Sequence, residues 1–262
     1  MDLNLKNKRA LVCGSTQGIG RAVAQELAQL GASVTLLARD EEKLQHVLQE
    51  LDSAQGQLHD YIVADFNNPY EVDLSVRARL QELQHMHILV NNTGGPPGGP
   101  IIDADTDEFL TAFNMHLVNN HQLTQAVVPY MKEAKYGRII NIISTSVKQP
   151  LNGLGVSNTI RGAVASWAKT MANELGQFGI TVNNVLPGST NTGRITSIIE
   201  SRAQKSGRSQ EEVKQEMEAE IPARRFAEPA EVAAAAAFLA SPAAAYINGI
   251  NVPVDGGRTG CL

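Results

Sequence analysis

The chain has 262 residues, 43% of them hydrophobic and 19% charged, with a formal net charge of −5. That length forms one large α/β domain or two small ones with a substantial core, and the composition is ordinary for a globular protein. The negative balance argues against nucleic acid or an anionic membrane as the main partner. The longest apolar run, Val232 to Ala240, is far short of the ~20 residues of a membrane span. No signal-type apolar stretch follows Met1, so a cytoplasmic location is expected. Cys13 and Cys261 stand at opposite ends of the chain, and Cys13 reads as a free, buried thiol inside an apolar strand.

In chain order, strands are predicted at Ala10–Cys13, Ser33–Leu37, Tyr61–Ala64, Ile88–Asn91, Arg138–Ile143, Thr181–Val185 and Ile250–Val254. Helices are predicted to begin near Gly18, Asp40, Pro69, Thr106, Ser157 and Pro229. Strands alternating with helices over such connections imply right-handed βαβ units and a parallel sheet. Near-continuous apolar strands such as Val34–Leu37 fit a sheet covered on both faces. No repeat or linker divides the chain, which reads as one domain. Thr192 to Ala223 is polar and charge-rich, and Ile195, Ile198 and Ile199 allow a short amphipathic helix in it. A substrate lid and a solvated surface excursion are both open readings of that segment.

Gly14-Ser15-Thr16-Gln17-Gly18-Ile19-Gly20 joins the first strand to the first helix. A tight strand-to-helix turn needs residues tolerant of positive φ, and a close backbone approach suits a pyrophosphate. The helix N-terminus adds free N–H groups and the positive end of its dipole. The G-x-x-x-G-x-G spacing, Asp65 after the third strand, Asn91-Asn92-Thr93-Gly94, Pro187-Gly188 with Thr192, and Val254-Asp255-Gly256-Gly257 occur in that order along the chain. Together they resemble the short-chain dehydrogenase/reductase family over nearly the whole sequence. The resemblance implies a Rossmann-type doubly wound α/β fold with seven parallel strands in the order 3-2-1-4-5-6-7.

It also implies a dinucleotide held by Gly14, Ser15, Thr16, Gly18, Ile19 and Gly20, then by Arg39, Asp65 and Phe66. Asn91, Thr93, Gly94, Arg161, Pro187, Gly188 and Thr192 complete the implied cofactor set. No metal site is predicted. A carboxylate at the end of the second strand would bind the ribose of NAD and repel the 2′-phosphate of NADP. Here Ala38 is followed by Arg39, which favours NADP over NAD because a guanidinium grips phosphate. Asp40 then reads as a helix N-cap, while Gln17 stands where the family often places a second cation.

The family's active site uses Asn, Ser, Tyr and Lys. Ser144 matches the Ser, but no Tyr-x-x-x-Lys follows: Ser157 and Arg161 fall at the Tyr and Lys positions, and His116 at the Asn. Asn114, two residues earlier, would restore the Asn after a local shift, and Lys148 is a further basic candidate or a surface charge. Phenol titrates near pH ~10, within reach of tuning, whereas serine is a far weaker acid on a shorter stem. Histidine, with an ordinary pKa of ~6.5, suits proton exchange near neutrality, though a lone helical His is more often structural.

Two main functional readings follow. One is an NADP(H)-dependent oxidoreductase acting on a carbonyl/alcohol pair of a small-molecule substrate, with an altered proton relay. The other is a non-catalytic dinucleotide-binding relative serving as a sensor or partner subunit. A lyase or dehydratase using the cofactor structurally is a third possibility. The resemblance further implies a homodimer or homotetramer formed through the helices around Thr106 and Ser157.

Overall fold

Every residue of β1 (Arg9–Cys13) is buried, which is why it lacks the alternation of a half-exposed strand. The computed structural model describes residues 1–261. After β1 the chain runs through α1 (Gly18–Gln29), β2 (Ser33–Ala38), α2 (Glu41–Glu50), β3 (Asp60–Val63), α3 (Pro69–Leu83) and β4 (Ile88–Asn91). Then come α4 (Thr106–Phe113), a π-helical turn (Asn114–Val118), α5 (Asn119–Glu133), β5 (Gly137–Ile142) and α6 (Gly155–Leu175). β6 (Ile180–Pro187), α7 (Gly193–Ser206), α8 (Gln210–Ala219), α9 (Pro229–Ala240) and β7 (Asn251–Val254) complete it.

The strands form one sheet in the order β3-β2-β1-β4-β5-β6-β7, and every pairing is parallel. Ala10 and Val12 face a core shared with α1, α2 and α9. Leu11 and Cys13 face the opposite core, against α3, α5 and α6. Alternate residues of one strand thus serve two hydrophobic layers, as the period of a strand requires. Cys13 is a free, buried thiol, and burial pushes its pKa well above the ordinary value. Among the described residues no helix is long and apolar enough to cross a membrane.

The parallel register sets four asparagines side by side across β4, β5, β6 and β7: Asn91, Asn141, Asn184 and Asn251. Each amide donates to the next, at 2.8 Å from Asn91, 2.9 Å from Asn141 and 2.8 Å from Asn184. The ladder satisfies amide groups that the sheet interior would otherwise strand, with only Asn91 Oδ1 left without a protein partner among them.

The segment after β6 departs most from the sequence reading, since it forms two helices rather than one. α8 begins with a capping box in which Ser209 Oγ accepts the Glu212 N–H and the Glu212 carboxylate accepts the Ser209 N–H. α7 and α8 share a separate small core that includes Ile195, Ile199, Val213 and Met217.

Candidate active site

The loop between β1 and α1 is fixed from below. Gly14 has φ +58°, and a Cβ built on Gly20 would lie 2.1 Å from the Gly14 carbonyl oxygen. The Asn92 amide, on the loop after β4, donates to the carbonyls of Cys13 at 3.2 Å and Gly14 at 3.3 Å. Ser15 is buried, and its Oγ accepts the Leu37 N–H at 3.1 Å, tying the loop to β2. Ser15 and Gly20 therefore shape the cradle from behind, whereas Gly14, Thr16, Gly18 and Ile19 line the open cleft. The N-cap of α1, Gln17, makes no side-chain cap, and the first turn carries no acidic residue. Those N–H groups and the dipole end remain available to an anion.

Arg39 stands at one end of the cleft, its side chain exposed and 3.9 Å from the Asp65 carboxylate. Asp40 caps α2 by accepting the Lys43 N–H at 3.1 Å and pairs with the Lys43 ammonium at 2.7 Å. These contacts hold its carboxyl below the usual range. Asp65 and Phe66 also line the cleft, but Asn91 does not, because its side chain is spent in the asparagine ladder. Arg39→Ala should weaken NADPH binding by about tenfold or more, one charge-assisted contact, and leave NADH binding unchanged. Fluorescence titration with both cofactors measures this, and an equal loss for both would remove Arg39 from phosphate recognition.

At the other end, Ser144, Ser157 and Arg161 line the same cleft, with Thr93, Gly94, Pro187, Gly188 and Thr192 between the two ends. Ser144 follows β5, and its Oγ accepts the Ser146 N–H at 3.1 Å. Ser157 and Arg161 occupy successive turns of α6, on one face. Arg161 is buried, and its Nη1 donates to the Ile142 carbonyl at 3.0 Å. Burial, and then the nearby Arg194 charge, lower its pKa to about 10, so it stays cationic at neutral pH. Its Nε has no protein partner.

His116 lies in the π turn, buried, with Nδ1 2.6 Å from Thr93 Oγ1 and Nε2 unpartnered. Burial, with a smaller contribution from Arg161, pushes its pKa down to about 2. It is therefore neutral through the physiological range, and the ordinary titration expected from the sequence does not apply. Met115, not His116, lines the cleft. Asn114 is exposed and outside the cleft lining, so the local shift that would place it at the site is not what the chain adopts. Lys148 also lies outside the lining.

The folded state resists protonating His116 while the unfolded chain accepts a proton near pH ~6.5, so stability falls as pH drops below that value. Between pH 6 and 4, wild type should lose roughly 3 kcal/mol more than His116→Asn, at about 1.4 kcal/mol per unit. Urea melts across that range check it, and parallel losses would show that His116 is not buried neutral.

Sequence reasoning missed several residues. Asn119 donates to the Phe66 carbonyl at 2.8 Å and to the Asn114 carbonyl at 3.1 Å, bracing the π turn against the loop after β3. α7 contributes Arg194, Ile198, Arg202 and Lys205 to the cleft. Arg194 donates to the Pro96 carbonyl at 2.6 Å, tying α7 to the Gly/Pro-rich loop after β4. None of the protein's tyrosines lines the cleft.

A parallel sheet opening at its carboxyl edge onto a glycine loop and a helix N-terminus defines a Rossmann-type nucleotide-binding protein. A family model described as enoyl-(acyl carrier protein) reductase matches residues 14–259. The 3-oxoacyl-[acyl-carrier-protein] reductase FabG of Vibrio cholerae serotype O1 is 33% identical over 258 residues, 97% of this chain and 98% of that protein. The structure of L-sorbose reductase from Gluconobacter frateurii, complexed with NADPH and L-sorbose, superposes with a TM-score of 0.93 at 30% identity, covering 100% of both chains. An actinorhodin polyketide ketoreductase with NADPH gives 0.90 at 32% identity, over 97% of this chain and 98% of that one. The chain belongs to the short-chain dehydrogenase/reductase family.

Proposed function

We propose that the protein is a cytoplasmic NADP(H)-dependent oxidoreductase that interconverts a carbonyl and an alcohol on a small-molecule substrate. The observation that carries this reading is a continuous cleft of about 1170 Å³, in which the glycine loop and Arg39 meet Ser144, Ser157 and Arg161. The NADPH named for the sorbose reductase and the polyketide ketoreductase supports the choice of cofactor. In this reading Arg39 takes the 2′-phosphate, the loop and the α1 N-terminus take the diphosphate, and Thr93, Gly94, Pro187, Gly188 and Thr192 flank the nicotinamide.

Bound NADPH supplies the hydride. Ser144 and Ser157 hydrogen-bond the substrate oxygen, and Arg161 stabilises the negative charge that grows there as the carbonyl is reduced. Because no tyrosine lines the cleft, the proton comes from water. Arg161 Nε–H and the unpartnered His116 Nε2 are the buried groups that orient it. α7 and α8 serve as the lid over the substrate. The exposed Ile102, Leu110 and Phe113 on and before α4 support assembly as a homodimer or homotetramer through that helix.

The absence of a phenol from the cleft favours a second reading, a dinucleotide-binding relative that acts as a sensor or partner subunit. NADPH titration followed by a screen of carbonyls and alcohols separates the two. Binding with turnover supports the reductase, binding without turnover supports the sensor, and no binding overturns both.

A further inference from the structure

Among the described residues only two carboxylates line the cleft, Asp65 and Glu220. Each already faces an arginine, Arg39 at 3.9 Å and Arg258 at 2.5 Å. Arg161, Arg194, Arg202 and Lys205 also line it, and among the described residues none of them has a carboxylate partner. Elsewhere on the surface most arginines are paired, as Arg21 with Glu50, Arg77 with Asp73 and Arg225 with Glu231, while Arg224 meets only the Ala219 carbonyl. A protein of net charge −5 thus gathers unneutralised positive charge in its principal cleft. Such a cleft concentrates anions.

The positions along α7 give the charge a direction. Arg194, Ile198, Arg202 and Lys205 recur at helical spacing and all line the cleft, while Ile199 and Ala203 face α8 and Ile195 borders both. Arg194 opens the helix next to the Gly/Pro-rich loop and lies near enough to Arg161 to lower its pKa. At about 1.5 Å per residue, Arg202 and Lys205 stand roughly 12 and 16 Å further along the helix. Their side-chain nitrogens make no hydrogen bond or ion pair among the described residues, whereas Arg194 is engaged with Pro96.

We propose that the outer part of the cleft receives an anionic group, a carboxylate or a phosphate, borne by the substrate at a distance from its reacting carbon, with Arg202 and Lys205 as the receiving pair. The proposal rests on the oxidoreductase reading for its reacting carbon, but the anion site itself does not need turnover. Ile198, between the two ends of this wall, meets the apolar stem that joins the anion to the reacting group.

Calorimetric titration with three ketones tests it: 8-oxononanoate, its methyl ester, and 8-oxononyl phosphate. Each is added to the protein with and without NADPH, in wild type and in Arg202→Gln/Lys205→Gln. Wild type should bind the acid or the phosphate at least about tenfold tighter than the ester, and about 0.5 M salt should shrink that preference. Whichever anion binds more tightly identifies the group. The double variant should bind all three alike while its NADPH affinity is unchanged. Equal binding of the three by wild type, no binding of any, or a preference that survives in the double variant overturns the proposal. Failure of NADPH to bind overturns the oxidoreductase reading instead, and anion selectivity in the protein alone would still stand.

Discussion

Gly20→Ala is expected to weaken NADPH binding by about 100-fold or more, roughly 3 kcal/mol, and to cost about 1–3 kcal/mol of stability. The added Cβ would sit 2.1 Å from the Gly14 carbonyl oxygen and 2.7 Å from Asn92 Nδ2. Neither neighbour yields easily. Gly14 is held in its left-handed turn with its N–H donating to the Leu37 carbonyl at 2.8 Å, and Asn92 is bonded to two loop carbonyls. Relief must come from moving α1 away from the loop, which separates the helix N–H groups from the glycine backbone that together form the cradle. Gly162→Ala is the contrast, because nothing lies within 4 Å of the added atom, and a helical Gly→Ala change should stabilise by up to about 1 kcal/mol. NADPH titration and urea melts on both variants measure the effects. Cofactor affinity within about threefold of wild type in Gly20→Ala would show that the loop is not the phosphate site.

The contrast between those two glycines marks how far the sequence was informative. The strand-to-helix spacing placed Gly14, Gly18 and Gly20 at the turn between β1 and α1, and the alternation of apolar runs implied the parallel sheet. Both are local patterns with a fixed period. The roles of Ser15 and Asn91 were not local. Ser15 turns into the sheet to meet Leu37, and Asn91 pairs with Asn141 because β4 and β5 are neighbours in register. A contact between residues 50 positions apart has no trace in a window of sequence.

The same limit explains His116 and α7. The ordinary pKa of histidine is a property of the exposed side chain, and burial with a neighbouring guanidinium removes it. Apolar spacing did suggest a helix near Ile195, but which arc of it faces the cleft depends on α8 packing against the other side. The capping box at Ser209-Gln210-Glu211-Glu212 was a legible start signal for α8 that the charge-rich composition around it obscured. The π turn has no comparable signature: Asn119 satisfies carbonyls released there only because Phe66 and the loop after β3 come alongside.

The double change Ser157→Tyr with Arg161→Lys is expected to raise carbonyl reduction by about 100-fold, the low end of what a positioned acid contributes. Ser157 and Arg161 are one turn apart on α6 and both line the cleft, so a phenol at 157 would extend into the space where the substrate oxygen is held. Its pKa of ~10 must fall for it to exchange protons near neutrality, and an adjacent cation lowers it. Arg161 is cationic but committed, with Nη1 on the Ile142 carbonyl and the side chain buried. A lysine there presents a compact ammonium that can meet both the phenol and a ribose hydroxyl. Ser157→Tyr alone should therefore gain less than about tenfold, and Arg161→Lys alone should lose activity because the shorter cation no longer reaches the developing charge. The pH profile provides the second readout, since the double variant should acquire a titration in the alkaline limb that wild type lacks. If the double variant binds NADPH as wild type does yet reduces no faster, a missing phenol is not what limits this protein. Charge stabilisation by Arg161 with water as the acid would then be its complete proton chemistry.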